Sequence, residues 1–461
     1  MNGDRTGGLR RKCVALACAL TWSVLASVCA AAVPDDPPIP DLPPIDESET
    51  QPGAAGAAES RQGGRSGVEL QLWWQQIDDH AFSASGPSLA HSEVVRVALD
   101  LRMQWQPTAT LQTGWSSRLD LASAVARDAG AVDHDQDLHS LREVWLSWRN
   151  EQANRVVFVD AGRINWRLGS GGGYNPTDFF KTGAARAVSN ADPRATRLDR
   201  LGVVMLRAQA VTSAGSLTAA LAPRLSRRQD IDERLFALAL ERTNGAAAAL
   251  VKWSPQWSEA ASLDGSLFLR ESQSPQLGLS FSGLVSPSLV LHAEWAGGRR
   301  TTLGAPGQTA TAPAWRNRLA TGGTWTAAAG WDLLLEVQYA GDALSREAWE
   351  QWRNVQTPLE LQQLGQLAQQ RAYERDPLTR TGLFARASWR NAFDLRQLSL
   401  YGFVQANPSD PSLLWQLRGD WRLNPTWSLV GMAGGAEGAV NSEFGNYNPR
   451  RHLSVYVAHF Y

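Results

Sequence analysis

The stretch that decides the predicted fold is His452–Tyr461, which reads HLSVYVAHFY. Alternate side chains of a β-strand point to opposite faces. One face would carry Leu453, Val455, Val457 and Tyr461, and the other Ser454, Tyr456 and Ala458. His459 falls where the alternation favours an apolar residue, so the pattern is good but incomplete. The stretch predicts a strand with one apolar face that ends on an aromatic residue.

The same period of two recurs from Val68 to the end of the sequence. In Val95–Trp105, apolar residues alternate with Arg96, Asp100, Arg102 and Gln104. A soluble sandwich would also alternate, but these strands reach the about 9–11 residues that a tilted membrane crossing needs. Tryptophans also recur near predicted strand ends, where an interfacial aromatic belt would lie. These are Trp105, Trp166, Trp253, Trp325, Trp389 and Trp421.

The final strand resembles the closing strand of bacterial outer-membrane β-barrels, whose aromatic end is read by the barrel-insertion machinery. Short turns also alternate with long polar connections, as in such barrels. The long connections are predicted at about 77–91, 122–137, 167–199, 298–314, 342–379 and 435–450.

Counting strands gives about 19, but such a barrel needs an even number. The weakest candidate strand is Leu235–Leu240. We therefore predict an all-β fold: a closed antiparallel transmembrane β-barrel of about 18 strands, with 16 as the alternative. Helical spacing of tryptophan and leucine adds a predicted helical loop insertion over Ser345–Arg371, which would cap the pore or pack on neighbouring loops.

The N-terminal region divides into two predicted segments. Residues 1–32 read as a secretory signal peptide, with the basic run Arg10–Lys12 and the small residues Ala30–Ala32 before the expected cleavage. Residues 33–67 read as a Pro/Gly-rich acidic periplasmic linker. The barrel would then occupy residues 68–461.

All three cysteines lie in the predicted signal peptide: Cys13, Cys18 and Cys29. Lipidation at Cys29 is the weaker alternative, because Val28 is a poor residue before a lipidated cysteine. The mature chain would thus have no thiol, which excludes disulfides, zinc–thiolate sites and cysteine nucleophiles.

The composition restricts the classes of partner. The net charge of -1 excludes a strongly basic, nucleic-acid-binding surface. Charged residues make up 19% of the chain, and the mean hydropathy is -0.28. No mature stretch approaches the about 20 apolar residues of a membrane helix. The protein would therefore stay soluble in the periplasm or span a membrane as strands.

The stretch Ala161–Phe180 carries the candidate site. A Gly-Arg strand leads into a glycine-rich segment and then Asn-Pro-Thr-Asp. This layout resembles porin-like bacterial outer-membrane β-barrel proteins of unassigned role. It departs at Arg167, where a glycine usually follows the tryptophan. The resemblance implies that the loop Gly162–Arg200 folds inward and narrows a pore. The charges that would set the field there are Arg163, Arg167, Asp178, Lys181 and Arg186.

The residues expected to shape this loop are Gly171, Gly172, Gly173, Asn175 and Pro176. The glycines would permit positive φ or a close backbone approach, and Asn175 would open a turn. Asp178 would cap a short helix. The alternative is that Asn175 and Asp178 only cap the loop while the arginines are solvated.

Inward-facing arginines form a second candidate set: Arg96, Arg102, Arg118, Arg386, Arg390, Arg418 and Arg422. They are matched in part by Asp100, Asp120, Glu143 and Asp420. Such rows create a transverse field that favours polar solutes. The alternative is that the pairs only neutralise each other and stiffen the wall.

Catalytic and metal sites are poorly supported by the sequence. The acidic stretch Asp128–Asp137 lacks the glycine and distal glutamate of an EF-hand, so a solvated loop is favoured over a calcium site. His134 and His139 form no recognisable constellation with a nucleophile. We predict no enzyme activity, no metal and no cofactor.

The sequence favours an outer-membrane porin-like channel for passive or facilitated passage of small polar solutes. The alternatives are an export or envelope-assembly component that docks a periplasmic partner through residues 33–67, and a barrel enzyme or adhesin working through its loops. Other expected partners are outer-membrane lipid, lipopolysaccharide and the insertion machinery.

Overall fold

The computed structural model describes residues 63–83, 86–128, 131–186, 190–228, 231, 234–308, 312–355, 357–439, 441–445 and 449–461. Within them, 18 strands form a single sheet in which each strand pairs with the next and β18 pairs back to β1. All these pairs are antiparallel. The predicted closed barrel of 18 strands is confirmed. The predicted signal peptide and linker up to residue 62 lie outside the described residues.

The strands follow one another along the chain and around the barrel. They are β1 Gly63–Ser83, β2 Gly86–Thr108, β3 Leu111–Arg127, β4 Gln136–Gln152, β5 Arg155–Ile164, β6 Val203–Thr212, β7 Gly215–Ala222, β8 Ala248–Pro255, β9 Ala261–Arg270, β10 Gln276–Ser286, β11 Leu289–Arg300, β12 Ala314–Thr326, β13 Trp331–Ala340, β14 Thr381–Arg390, β15 Leu398–Asn407, β16 Ser412–Arg422, β17 Trp427–Glu437 and β18 Arg451–Phe460. The first strand thus begins at Gly63, earlier than residue 68.

The C-terminal strand closes the sheet. It pairs with β1 in continuous register from Glu69 opposite Phe460 to Asp78 opposite Arg451. Closure leaves the sheet without a free edge strand, so the backbone N–H and C=O groups of the paired segments bond within the sheet even where no water is present. This is the physical condition for a sheet to sit in lipid.

The two faces of the sheet differ as the alternation predicts. On β18, Leu453 and Val455 face outward with 43% and 38% of their surface exposed, whereas Ser454 and Tyr456 face inward and are buried. Large apolar side chains are exposed all around the outer face, including Leu72, Met103, Leu146, Leu206, Leu335, Leu383 and Leu417. So much apolar surface exceeds what a soluble monomer exposes. The outer face is built to contact lipid.

Tryptophans mark one end of the barrel. At the end with the short turns, the outer face exposes Trp105, Trp148, Trp253, Trp325, Trp331, Trp421 and Trp427. Trp389 belongs to the same belt and stacks on Trp331 with ring centroids 4.5 Å apart. Trp166 does not, and its prediction as an interfacial residue was wrong. It is buried in the connection that follows β5.

The connections differ in length at the two ends. Every connection at the tryptophan end is short, from Ala109–Thr110 after β2 to residues 391–397 after β14. The opposite end carries the long ones, at residues 165–202, 223–247, 301–313, 341–380 and 438–450. In outer-membrane barrels the short turns are periplasmic and the long loops external. We call the two ends the turn end and the loop end.

The predicted set of long connections needs two revisions. Residues 77–91 are not a long loop, because β1 and β2 continue as a paired hairpin up to Ser83 and Gly86. Residues 223–247 form a long connection that the prediction omitted. The candidate strand Leu235–Leu240 lies within it and is not a strand, in agreement with the count of 18.

In the part of the loop-end connections that the structure describes there are four helices: α1 Pro193–Asp199, α2 Leu240–Thr243, α3 Arg346–Arg353 and α4 Pro358–Glu374. A short 3-10 turn, Ala392–Asp394, follows β14 at the turn end. The predicted helical insertion is therefore present as α3 and α4. The Ser345 hydroxyl accepts the Ala348 N–H at 3.2 Å and caps α3. Among the described residues, no helix is both long and apolar enough to span a bilayer.

Candidate constriction site

The connection between β5 and β6, residues 165–202, turns into the barrel, and we call it the inner loop. Its Phe179 ring stacks on Phe268 of β9 with centroids 4.8 Å apart, and Phe180 meets the same ring edge-on at 5.6 Å. The buried cluster around them includes Ile164, Trp166, Leu168, Val203, Met205 and Leu250. Burying a large apolar side chain contributes about 1.5–3 kcal/mol. The inner loop therefore covers an apolar part of the inner wall of β6–β9.

Two wall carboxylates hold the glycine-rich part of the inner loop. Glu294 of β11 accepts the Gly171 N–H at 2.5 Å and the Thr177 hydroxyl at 2.6 Å. Glu336 of β13 accepts the Gly172 N–H at 2.8 Å. Hydrogen bonds to a charged acceptor contribute about 1.5–3 kcal/mol each. The loop backbone is therefore fixed against the opposite side of the lumen from β5.

The glycines are needed because the backbone approaches the wall closely. A Cβ on Gly171 would lie 2.2 Å from the Tyr174 carbonyl oxygen, and one on Gly173 would lie 2.4 Å from Cγ of Phe384. Neither glycine is among the residues with positive φ. Of the two predicted reasons for glycine, close approach is the one that applies.

The Asn-Pro-Thr-Asp segment forms a turn. The Asn175 side-chain amide donates to the Gly171 carbonyl at 2.7 Å, and the Asp178 N–H donates to the Asn175 carbonyl at 3.3 Å across Pro176. Asp178 does not cap a helix, because turns follow it. Its carboxylate instead accepts two hydrogen bonds from Arg200, at 2.7 and 3.2 Å. This pair closes the inner loop on itself.

A buried ion cluster ties the inner loop to the connection 341–380. Lys181 lies 2.8 Å from Asp376, and Arg318 of β12 lies 2.7 Å from the same carboxylate and 2.5 Å from Asp342. Arg371 also lies 3.0 Å from Asp342. Burial alone would raise the pKa of Asp376, but the charges of Arg318 and Lys181 outweigh it and hold the pKa well below its usual range. The cluster is therefore ionised, and it fixes two loops to one strand.

The far end of the inner loop reaches the opposite wall. The Asp192 carboxylate lies 3.1 Å from Nε of Arg386 on β14. Asn190 accepts the Gln416 side-chain amide of β16 at 2.7 Å. Asp199, at the end of α1, lies 3.1 Å from Arg142 of β4. The loop thus touches the wall on several sides and crosses the lumen.

Arginines and aromatic rings line the wall beside the inner loop's far end. Trp73 and Tyr456 stack with centroids 3.8 Å apart. Three guanidinium groups lie over rings of this wall at 5.9–6.0 Å: Arg96 on Trp73, Arg418 on Tyr456 and Arg386 on Tyr401. Each such contact contributes about 0.5–2 kcal/mol. They hold the arginines against the wall rather than across the opening.

Several of the predicted inward arginines remain accessible to water. The side chains of Arg102 and Arg418 are 42% and 27% exposed, and Arg418 is paired with Asp420 at 2.6 Å. Arg390 and Arg422 are exposed at the turn end. Arg118 is instead buried between Asp120 and Asp100, at 2.9 and 3.6 Å. Both readings of the arginine rows therefore apply, since some charges face water and others are neutralised in the wall.

Other predicted pore residues serve as internal ties. Arg163 is 3% exposed and donates to the backbone carbonyls of Gly202, at 3.0 Å, and Leu238, at 2.7 Å. Arg186 donates to the His139 and Ala237 carbonyls at 2.7 and 2.9 Å. Arg167 is 6% exposed. Lys181 and Asp178 are buried as described above. The printed contacts of Arg163, Arg186, Lys181 and Asp178 thus tie each of them to another part of the chain.

Sequence reasoning missed the residues that receive the inner loop. Glu294 and Glu336 are inward acids in the central parts of β11 and β13, where the surrounding stretches LVLHAEWAGG and LLLEVQYA carry no other acid. An inward acid at mid-strand, flanked by apolar residues, is the signal that was available. Asp342, Asp376 and Arg371 lie in a connection predicted only as a helical insertion.

The acidic stretch uses its carboxylates for local contacts. Asp135 accepts the Ala124 N–H at 2.8 Å, Asp133 lies 3.1 Å from Arg127, and His134 lies 2.6 Å from Asp79. Across the described residues, no group of three or more His, Cys, Asp and Glu side chains is placed to hold a metal ion.

Known proteins resemble this chain in fold only distantly. Two solved structures with a TM-score of 0.48 are OccK8 (OprE) of Pseudomonas aeruginosa and a BenF-like porin from Pseudomonas fluorescens Pf-5, each 10% identical. The alignments cover 86% and 87% of this chain and 98% of each structure. P. aeruginosa OpdK, solved with vanillate, has a TM-score of 0.47 at 8% identity, covering 86% of this chain and 98% of that one. No protein-family model and no curated protein matches the sequence. What the chain does must therefore be inferred from its own geometry.

Proposed function

We propose that this protein is an outer-membrane channel for passive or facilitated passage of small polar solutes. A closed sheet with an apolar outer face and an ion-paired inner wall is what a strand-built membrane pore requires. The single observation that carries the proposal is the inner loop, which crosses the lumen and is bonded to the wall on several sides. A loop fixed in this way narrows a pore without closing it.

Selectivity in this proposal comes from width and wall charge. Water-accessible Arg102 and Arg418 border the opening, while Asp100 and Asp420 balance part of their charge. Such a wall favours polar solutes over apolar ones. We assign no catalytic step and no cofactor to the protein.

The far contact of the inner loop provides the test. The double variant Asp192→Asn with Arg386→Gln removes the ion pair that joins the loop to β14, and it leaves a neutral polar side chain at each position. We expect single-channel conductance in planar bilayers to rise, because the loop end is released from the wall. Arg346→Gln, on the exposed face of α3, removes one external charge and is the control.

Stepwise conductance from the wild-type protein is the first requirement. Its complete absence, in a preparation that migrates as a folded barrel, would refute the proposal. Wild-type conductance in the double variant would instead show that the inner loop does not set the width of the pore. The control should leave the conductance unchanged.

A further inference from the structure

The wall formed by β6–β9 is short along the barrel axis, and we call it the low side. The strands β7 and β8 have 8 residues each, whereas β1 and β2 have 21 and 23. At a rise of about 3.4 Å per residue and a tilt of about 40°, an 8-residue strand spans roughly 20 Å of membrane. The apolar band of such barrels is about 25 Å tall. The loop-end rim of the low side therefore lies down at the level of the lipid headgroups.

An apolar hollow lies on the outer face of this low side, just below the rim. One register row runs across it, from Ala161 through Leu206, Leu221 and Ala249 to Leu269. The three leucines are 44–60% exposed. Ala161 and Ala249 also line the hollow, and their small side chains leave space in this row. Its shape suits acyl chains packed against the wall.

Three arginines lie in the chain just after Pro223, a residue that lines the hollow, and we call Arg224, Arg227 and Arg228 the arginine rim. Pro223 and Glu271 line the hollow's upper edge, and Arg224 lies 2.8 Å from Glu271. Arg227 and Arg228 follow three and four residues after Arg224 in the sequence, and both are exposed.

The backbone that carries the arginine rim is held in place. Asn244 is fully buried, and its side-chain amide donates to the Pro223 carbonyl at 3.0 Å and the Val204 carbonyl at 2.8 Å. Its own carbonyl accepts the Leu225 N–H at 2.9 Å. The chain at Pro223 and Leu225, on either side of Arg224, is thus held against the barrel.

We infer that the hollow and the arginine rim form a binding site for a phosphorylated, multiply acylated lipid of the outer leaflet. The acyl chains would fill the hollow, and the phosphate groups would meet Arg227 and Arg228. Glu271 is the acid of the hollow's edge, and Arg224 neutralises it. Arginine is well suited to phosphate because its donors match the phosphate oxygens. The inference rests on the outer-membrane placement in the proposed function but not on conductance.

The experiment measures lipid retention by native mass spectrometry of the full-length protein in detergent. The probes are bis-phosphorylated lipid A, dephosphorylated lipid A and phosphatidylethanolamine. We expect one tightly held copy of the phosphorylated lipid. The double variant Arg227→Gln with Arg228→Gln should bind it roughly thirtyfold more weakly, since each arginine near an anionic lipid contributes about 1 kcal/mol. Arg346→Gln, which removes one arginine from the exposed face of α3, is the control and should bind as the wild type does.

A second variant tests the hollow separately. Ala249→Phe fills it from the outer face, and it should weaken retention of phosphorylated and dephosphorylated lipid A alike. Heat-modifiable migration in gels shows that each variant remains a folded barrel. Equal binding of the two lipid A forms by the wild type, or wild-type binding by the arginine variant, would overturn the inference. So would a dimer that lipid A does not displace, because a second copy would then occupy the hollow. Conductance of the same preparations separates this result from the proposed function.

Discussion

Single residues set the shape of the lumen through contacts between distant parts of the chain. Glu336 accepts the N–H groups of Gly172 and Tyr174 at 2.8 and 2.9 Å, and its oxygen lies 3.2 Å from Nε2 of His292. Gly173 fits between these bonds because it has no side chain. The wall and the inner loop therefore constrain each other residue by residue.

Gly173→Ala tests this fit. The new Cβ would lie 2.4 Å from Cγ of Phe384 and 2.6 Å from Nε2 of Gln338, so side chains must shift. Overpacking of this kind costs about 1–3 kcal/mol. We expect a lower midpoint of thermal unfolding in detergent and faster proteolysis of the inner loop.

Gly365→Ala is the matched control for the same chemical change. Gly365 lies within α4, and nothing stands within 4 Å of its added Cβ. Alanine in a helix interior is favoured over glycine by about 0.8–1.0 kcal/mol. The control should therefore be neutral or stabilising, and equal destabilisation of both variants would contradict the account of Gly173.

At the scale of elements, the connections at the loop end are joined by a buried acid pair. Glu443 accepts the Asn407 side-chain amide at 2.8 Å and the Thr379 hydroxyl at 3.0 Å. Its backbone N–H donates to Asp410 at 3.0 Å, and the Trp349 indole donates to the same carboxylate at 2.7 Å. The pair thus links α3, β15 and the connection 438–450.

The Glu443 carboxyl makes this junction sensitive to pH. Burial raises the pKa of Glu443 to about 7, from a usual value of 4.5. The protonated group therefore favours the closed junction, fully below pH 4.5, and its contribution is lost as the pH rises through 7. Hydrogen exchange of residues 441–445 should become faster across this window.

Glu443→Gln keeps the shape and removes the titration. In this variant, the hydrogen-exchange rate of residues 441–445, corrected for the intrinsic rate, should vary less with pH between 4.5 and 7 than it does in the wild type. An identical pH dependence in the two proteins would show that another group controls the junction.

The elements were largely predictable from local pattern. Outward and inward parity is a local property, so strands such as Val95–Trp105 and the closing strand were found from period alone. Residues 77–91 were mistaken for a loop because Asp78 and Asp79 look like loop residues. Their strand pairing continues because β2 stays opposite them. Strand pairing depends on a partner strand, so the pattern of one strand alone does not reveal where its pairing ends.

At the scale of the whole molecule, the site was less predictable than the barrel. The inward path of the inner loop was expected from resemblance, but its partners were not. Glu294 and Glu336 lie more than 100 residues away along the chain from the glycines that they hold. Charges such as Arg163 and Lys181 were expected to border the pore, yet buried carbonyls and carboxylates engage them. Only the folded barrel brings these groups together.

The central claim is that one closed sheet turns its apolar face to lipid and encloses its polar face. Neighbouring residues on one strand should then meet different surroundings. All three cysteines lie at positions 13, 18 and 29, so the segment predicted to remain after cleavage allows single-cysteine labelling. Leu101 and Arg102 on β2 are adjacent and face outward and inward, respectively.

The most direct measurement is nitroxide accessibility in lipid bilayers for Leu101→Cys and Arg102→Cys, each spin-labelled, with Leu417→Cys and Arg418→Cys repeating the test on β16. At positions 101 and 417 we predict collisions with oxygen dissolved in lipid and little contact with a water-soluble nickel complex. Positions 102 and 418 should show the reverse. Equal access of the nickel complex to both members of each pair would contradict the claim that this sheet crosses a membrane as a closed barrel.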